Sequence, residues 1–173
     1  EVPKSGDPFA KNAVDEFVLA KLKEKGLSPS PPADRTTLIR RLYLVMHGMP
    51  PSPEEVEAFT KDERPDAWPR LVDAVLASPR YGERWARHWM DIWRYSDWWG
   101  LGDQLRNSQL HIWHWRDWIV ESLNANTPYD EMVRLMLAAD ELHPNDLDKL
   151  RASGFLARNY VLFNRNQWLE ETV

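Results

Sequence analysis

Eight of the ten tryptophans fall between Arg84 and Trp118, in the string RWARHWMDIWRYSDWWGLGDQLRNSQLHIWHWRDW. The same stretch holds His88, His111 and His114, together with Arg84, Arg87, Asp91, Arg94, Asp97, Arg106, Arg116 and Asp117. An indole brings a large apolar surface and one N–H that needs a partner when buried. Ionisable groups also need partners, because an unpaired charge out of water is costly. This mixture therefore folds either into a core whose polar groups satisfy one another or into the wall of a site.

At 173 residues, with 43% hydrophobic and 28% charged residues, the chain is long enough for one globular domain with a real core. A net charge of −5 argues against nucleic acid as a partner, since phosphate backbones select a basic face. No apolar run reaches the roughly 18 residues that a membrane-spanning helix needs. The absence of cysteine rules out disulfides, thiolate metal sites and covalent haem attachment within these residues. The start at Glu1 and the end at Val173 both read as cuts from a larger multidomain protein.

Almost every segment reads as helix, and the expected fold is a single all-α domain over 1–173, an irregular bundle of about seven short helices with proline-rich connectors. Asp7-Pro8 fits the start of a helix running to about Lys25, with Val14, Phe17, Val18 and Leu22 on one face and Gly26 as its stop. Residues 26–33 form a proline-rich connector, and Asp34 caps a second helix to about His47 with Leu38, Leu42 and Val45 inward. Gly48 and Pro50-Pro51 end it. Ser52-Pro53-Glu54-Glu55 is a capping box opening a short helix through Val56 and Phe59. Asp66 starts another, with Leu71, Val72, Val75 and Leu76 at helical spacing. Ser78-Pro79 caps a long helix to about Trp98; a loop follows, and Ser108 caps the next helix, to about Asn124. Thr127-Pro128 begins one more, ending near Asp140, and Asn145 caps a last short helix closed by Gly154. Residues 155–173 show no clear pattern.

On the long helix Arg84, His88, Asp91 and Tyr95 fall at i, i+4, i+7 and i+11, a polar ridge continued by Asp97. Turned toward an enclosed aromatic chamber, that ridge offers an acid/base imidazole oriented by Asp91, an anion anchor in Arg84 and a phenol. The alternative is that His88 and Asp91 satisfy each other and the N–H groups of buried tryptophans. The next helix presents a second candidate face, His111, His114, Arg116, Asp117 and Trp118. Two histidines at i, i+3 can flank one metal, but a metal site needs further ligands and no H-e-x-x-H-type pattern supplies them. The other reading is a helix with histidines on a half-exposed aromatic face. Trp98-Trp99, beside Gly100 and Gly102, reads either as an aromatic contact loop or as a loop folded back on the bundle. No nucleophile elbow, phosphate loop or dinucleotide fingerprint occurs.

Four strings occur in order: VDEFVLAKLKEKGLSPSPPADRTTLIRRLYLVMHGMPPSPEEVEAF, ASPRYGERWARHWMDIWRYSD, WRDWIVESLNANTPYDEMVRLMLAAD and ASGFLARN. Together they resemble the planctomycete cytochrome-associated domain of unknown function, the second of the planctomycete cytochrome domain families. The signature covers Arg84, Trp85, His88, Trp89, Asp91, Arg94, Tyr95 and Asp97, then Trp113, Arg116, Asp117 and Trp118, then Pro128, Tyr129 and Asp130. The resemblance implies a large extracytoplasmic protein, periplasmic or at the cell surface. A cytochrome c-like module lies upstream in such proteins, and a C-x-x-C-H haem-attachment motif typically follows soon after this point. This chain departs from the pattern in the loop WWGLGD after Asp97, in His111 and His114, and in Leu44-Val45-Met46-His47.

The resemblance makes a helical module supporting a haem and electron-transfer assembly the first expectation. His88 or Met90 is then a candidate haem ligand, haem c is the expected cofactor of the parent, and the parent's other domains are the expected partners. An interaction or scaffold domain using Trp98 and Trp99 is the second expectation. A polysaccharide-processing enzyme using Asp91 and Asp97 is the third, weakened because i, i+6 carboxylates on one helix point apart. The isolated chain is expected to catalyse nothing alone, with an oxidoreductase as a possible parent.

Overall fold

The computed structural model describes residues 1–97 and 111–158. Every regular element among them is helical, as expected, and no strand occurs among the described residues. The chain divides into two compact units, 1–38 and 39–173.

In the first unit, helix α1 spans Ala13–Glu24. It starts later than the Asp7-Pro8 signal implies, because Asn12 makes the cap. The side-chain Oδ1 of Asn12 accepts the backbone amides of Val14 and Asp15 at 2.9 and 3.1 Å, and the Asp15 carboxylate accepts the Asn12 backbone amide in return at 3.2 Å. Asp7 closes a separate turn by accepting the Phe9 amide at 2.8 Å. At the other end Gly26 adopts φ +67°, and the Leu27 amide reaches back to the Leu22 carbonyl at 2.9 Å, a Schellman stop. The face that is covered is not the expected one. Leu19 is buried, whereas Val14, Phe17 and Val18 are 69%, 50% and 46% exposed. Glu16 accepts the Ser5 amide at 2.7 Å, which holds the N-terminal segment over the Glu16–Leu19–Lys23 side. The apolar stripe next to it is left bare.

Helix α2 (Arg35–Met46) begins at the Asp34 cap, where the carboxylate accepts the Thr37 amide and hydroxyl, each at 2.8 Å. In the second unit α2 packs with α3 (Pro53–Lys61) and α4 (Ala67–Leu76) around Ile39, Leu42, Tyr43, Phe59, Ala67 and Val75. Val45, expected inward, is 55% exposed; the i, i+3, i+4 set Ile39, Leu42 and Tyr43 takes the core instead. The Ser52–Glu55 capping box forms as read.

A larger core lies between α5 (Pro79–Ile92), α6 (Trp113–Asn124), α7 (Tyr129–Leu142), α8 (Leu147–Leu150), a 3-10 turn (Arg151–Ser153) and α9 (Gly154–Ala157). It gathers Ala86, Trp93, Ile112, Trp115, Trp118, Ile119, Met132, Leu135, Met136, Ala139 and Ala152. Gly82 and Ala86, two small residues one turn apart, let α5 lie close on α6.

Helix α5 ends well before Trp98. Arg94 takes φ +56°, the Tyr95 amide bonds the Met90 carbonyl at 2.9 Å and the Arg94 amide bonds that of Asp91 at 3.4 Å. This is a Schellman stop with arginine where glycine is usual. The Ser108 cap lies outside the described residues. Helix α7 runs to Leu142, past Asp140, with a break in helical backbone at Ala138 (φ −147°, ψ 26°). Asp146, not Asn145, caps α8, and Gly154 opens a helical turn where a stop was expected.

Candidate functional site

The ridge on α5 points away from the core. His88 and Asp91 are exposed, and Ile92 is 66% exposed. The buried line of this helix is Gly82, Ala86 and Trp93, flanked by half-buried Trp89 and Met90. The enclosed chamber expected around His88 and Asp91 is therefore not there; those two side chains lie outside the line that faces α6. His88 rests beside the indole of Trp85, ring centroids 5.4 Å apart. Arg84 is half-buried against Gly48, and its Nε is buried without a hydrogen-bond partner among the described residues. Tyr95 leaves the stripe altogether, because the chain turns at Arg94 before reaching it.

That turn brings part of both candidate faces together. The Tyr95 hydroxyl donates to Asp97, and Arg116 of α6 lies 4.0 Å from the same carboxylate. Arg116 also pairs with Asp117, its Nε donating at 3.0 Å. Burial, reinforced by Asp97, holds the Tyr95 phenol well above its ordinary value, so it remains a proton donor. The hydrogen bond that Arg116 donates to Asp117 raises the already basic guanidinium further. Beside this cluster an open groove of about 380 Å³ runs between α5 and α6, lined by Glu83, Met90, Arg116, Asp117, Val120 and Glu121. On its far side Arg151 makes a two-pronged ion pair with Glu121.

The remaining residues of the second face behave differently from one another. His111 is exposed, and His114 is half-buried and stacked on the indole of Trp113 at 3.6 Å. Their ring centroids are 6.2 Å apart. Among the described residues no group of three or more His, Cys, Asp or Glu side chains is placed to hold a metal ion. Trp118 is core, 5% exposed. Trp98 and Trp99 lie outside the described residues.

A set of touching rings fills the space under this surface. Trp89 stacks on Trp93 with centroids 5.1 Å apart, Trp93 meets Trp115 at 6.4 Å, and Trp115 meets Tyr95 at 5.8 Å and Phe155 at 5.9 Å. Tyr129 of α7 joins Trp89 at 5.3 Å and carries the set to the surface. These spacings are those of paired aromatic side chains in cores.

The sequence from residue 13 to residue 172 matches PSCyt2, described as a protein of unknown function (DUF1549). The chain belongs to this family. No curated protein and no solved structure matches it. No helix among the described residues of this PSCyt2 chain is long and apolar enough to cross a membrane.

This PSCyt2 chain carries its two candidate haem ligands, His88 and Met90, on one helix, α5. It has no cysteine. His88 and Met90 are two positions apart, so they stand roughly 200° apart around the helix. The imidazole is exposed while Met90 lines the α5–α6 groove.

One buried polar residue was not among the sequence candidates. His47 at the end of α2 is 8% exposed, and its Nε2 lies 3.0 Å from the Val75 carbonyl of α4, leaving Nδ1 buried without a partner among the described residues. Its ring meets Tyr43 edge-on at 5.1 Å. A lone histidine at a helix end gives no periodic signal, so only the tertiary contact reveals it.

Proposed function

We propose that this chain is a helical module of an extracytoplasmic cytochrome c-type protein, packed beside a haem that other parts of the parent hold, and not itself catalytic. The observation that carries this reading is the continuous run of rings from Tyr129 through Trp89, Trp93 and Trp115 to Tyr95. A water-excluding aromatic body suits a module that keeps a neighbouring redox group dry and fixed. The family's cytochrome-type name points the same way. The test is the absorption spectrum of the full-length parent purified from its source. A Soret band is expected, and its absence from the intact protein overturns the reading.

A second reading, an interaction domain, draws support from the bare Val14, Phe17 and Val18 stripe of α1. Exposed apolar residues on one face of a helix are what a partner surface covers. Phe17→Glu is then expected to weaken association with the separately expressed flanking domains while leaving the helical circular-dichroism signal intact. Unaltered co-purification rejects it. The polysaccharide reading has no comparable support. Asp97 is engaged by Tyr95 and Arg116, whereas Asp91 stands exposed on α5.

A further inference from the structure

The rings around Trp115 differ in what happens to a proton if one of them loses an electron. Trp115 is 1% exposed and its Nε1 has no hydrogen-bond partner among the described residues. An indole N–H can only donate. With no acceptor in reach, an oxidised Trp115 keeps its proton, stays a cation, and passes the electron vacancy to whichever neighbour gives an electron more easily. Trp93, next in the run, is 7% exposed. Tyr95 is in the opposite situation. Its hydroxyl already donates to the Asp97 carboxylate, so losing an electron and handing over the proton form one step with no rearrangement. Arg116 lies 4.0 Å from the same carboxylate, on the side of α6. At the other end Tyr129 is 56% exposed and meets Trp89 at 5.3 Å.

We propose that Tyr129, Trp89, Trp93, Trp115 and Tyr95 form a one-electron relay through the helical body, with Asp97 taking the proton of its terminal phenol. A one-electron oxidant at the Tyr129 edge is reduced by one electron, and that electron comes, in net, from Tyr95. The Tyr95 proton crosses to Asp97, leaving a neutral tyrosyl radical beside a carboxylic acid. A one-electron donor reaching Tyr95, with return of the proton from Asp97, restores the starting pair. The oxidant is of the class of high-valent metal centres, which the electron-transfer haem proposed above is not, and the experiment supplies its own.

Because the sequence has no cysteine, Asp130→Cys offers a single attachment point for a ruthenium photosensitiser next to Tyr129. Flash oxidation of the labelled protein to ruthenium(III), followed by transient absorption and rapid-freeze electron paramagnetic resonance, reads which ring holds the vacancy. In a Tyr129→Phe background, which removes the phenol nearest the label, the expected product is a tyrosyl radical. Tyr95→Phe should abolish it and leave an indole radical. Asp97→Asn, a change at an exposed carboxylate, should slow its formation by roughly 100-fold, the low end of what a positioned base contributes. Trp68→Phe, off the path, should change neither. A tyrosyl radical that survives Tyr95→Phe unchanged, or that forms at the same rate with Asp97→Asn, overturns the relay. Neither outcome depends on haem, so the relay and the haem reading fail separately.

Discussion

The Gly82 amide of α5 donates to Oδ1 of Asn124 at the end of α6, 2.8 Å away, and the Nδ2 of the same asparagine donates to the Pro79 carbonyl at 3.1 Å. One side chain thus fastens the first turns of α5 to the last turn of α6, in the pair of helices that carries the aromatic run. The crossing has no room for a methyl group. A Cβ on Gly82 would sit 2.5 Å from both Asn124 Oδ1 and the Val120 carbonyl.

Gly82→Ala should therefore destabilise the fold even though alanine is the better helix former by about 1 kcal/mol. Forcing two helices apart in a packed core costs about 1–3 kcal/mol, and here it also breaks the Asn124 hydrogen bond. Asn124→Ala removes the bonds without the clash and should cost about 1 kcal/mol. Urea unfolding followed by circular dichroism measures both. A Gly82→Ala midpoint equal to that of the parent chain would show that the helices do not cross as closely as described.

Arg94 stops α5 in the left-handed region, at φ +56°. For a residue with a Cβ that conformation costs roughly 1–2 kcal/mol, of which glycine recovers all but its extra unfolded-state entropy, roughly 0.5–1 kcal/mol. Arg94→Gly should raise stability by about 0.5 kcal/mol, and Arg94→Ala should not. Removing the arginine also relieves Arg158, whose guanidinium burial and the nearby Arg94 charge push down from its ordinary value. The comparison of thermal midpoints for the two variants checks the prediction, and equal shifts would mean that the backbone conformation is not the cause.

Asp34 makes the start of α2 sensitive to acid. The Thr37 amide, and after it the Thr37 hydroxyl, hold its carboxyl below the ordinary value of 3.8. A carboxylate favoured by the fold adds stability at every pH above its unfolded value and loses that contribution as pH falls through the folded one. The carbon-13 chemical shift of the Asp34 carboxyl should titrate below 3.8. Asparagine also caps helices, so Asp34→Asn should differ most from the parent at neutral pH, by a small margin, and converge with it at pH 2. A difference that widens in acid would reverse the assigned sign.

Local chemistry was readable in the sequence wherever a residue acts on its own neighbours. Ser52, Ser78 and Asp34 cap helices because the acceptor and its amides are two or three residues apart, and Gly26 stops one because its backbone allows it. Arg94 has no such local preference. The turn there is imposed by what flanks it, Trp93 buried on one side and Tyr95 packed on Trp115 on the other, so α5 read as longer than it is. In α1 the pattern picked out the apolar stripe correctly but not its fate. A single bond from Ser5 to Glu16 decides which side is covered, and it joins residues 11 apart. The Tyr95–Asp97–Arg116–Asp117 cluster draws on residues that the sequence had singled out on two separate candidate faces. Their grouping was not legible, because it depends on where α5 stops and on the register in which α6 returns. His88 and Asp91 were drawn into the same group by helical spacing alone, and spacing cannot say which way a ridge faces.

Two glycines separate steric need from conformational need. Gly154 has ordinary helical backbone, φ −53°, so alanine there costs nothing in conformation. A Cβ would, however, overlap the Cβ and Cγ of Trp115, the most buried ring of the aromatic run. Gly26 is the reverse: its φ of +67° disfavours any side chain, while a Cβ there meets nothing within 4 Å. Gly26→Ala should then cost about 1 kcal/mol from backbone strain alone and leave the near-ultraviolet circular dichroism of the tryptophans unchanged. Gly154→Ala should cost about 1–3 kcal/mol by overpacking and change that spectrum, because Trp115 or α9 must move. If the two variants instead share one spectrum, with Gly154→Ala no less stable than Gly26→Ala, then Gly154 is not seated against Trp115 and the rings beneath the Tyr95–Asp97 pair are packed in some other way.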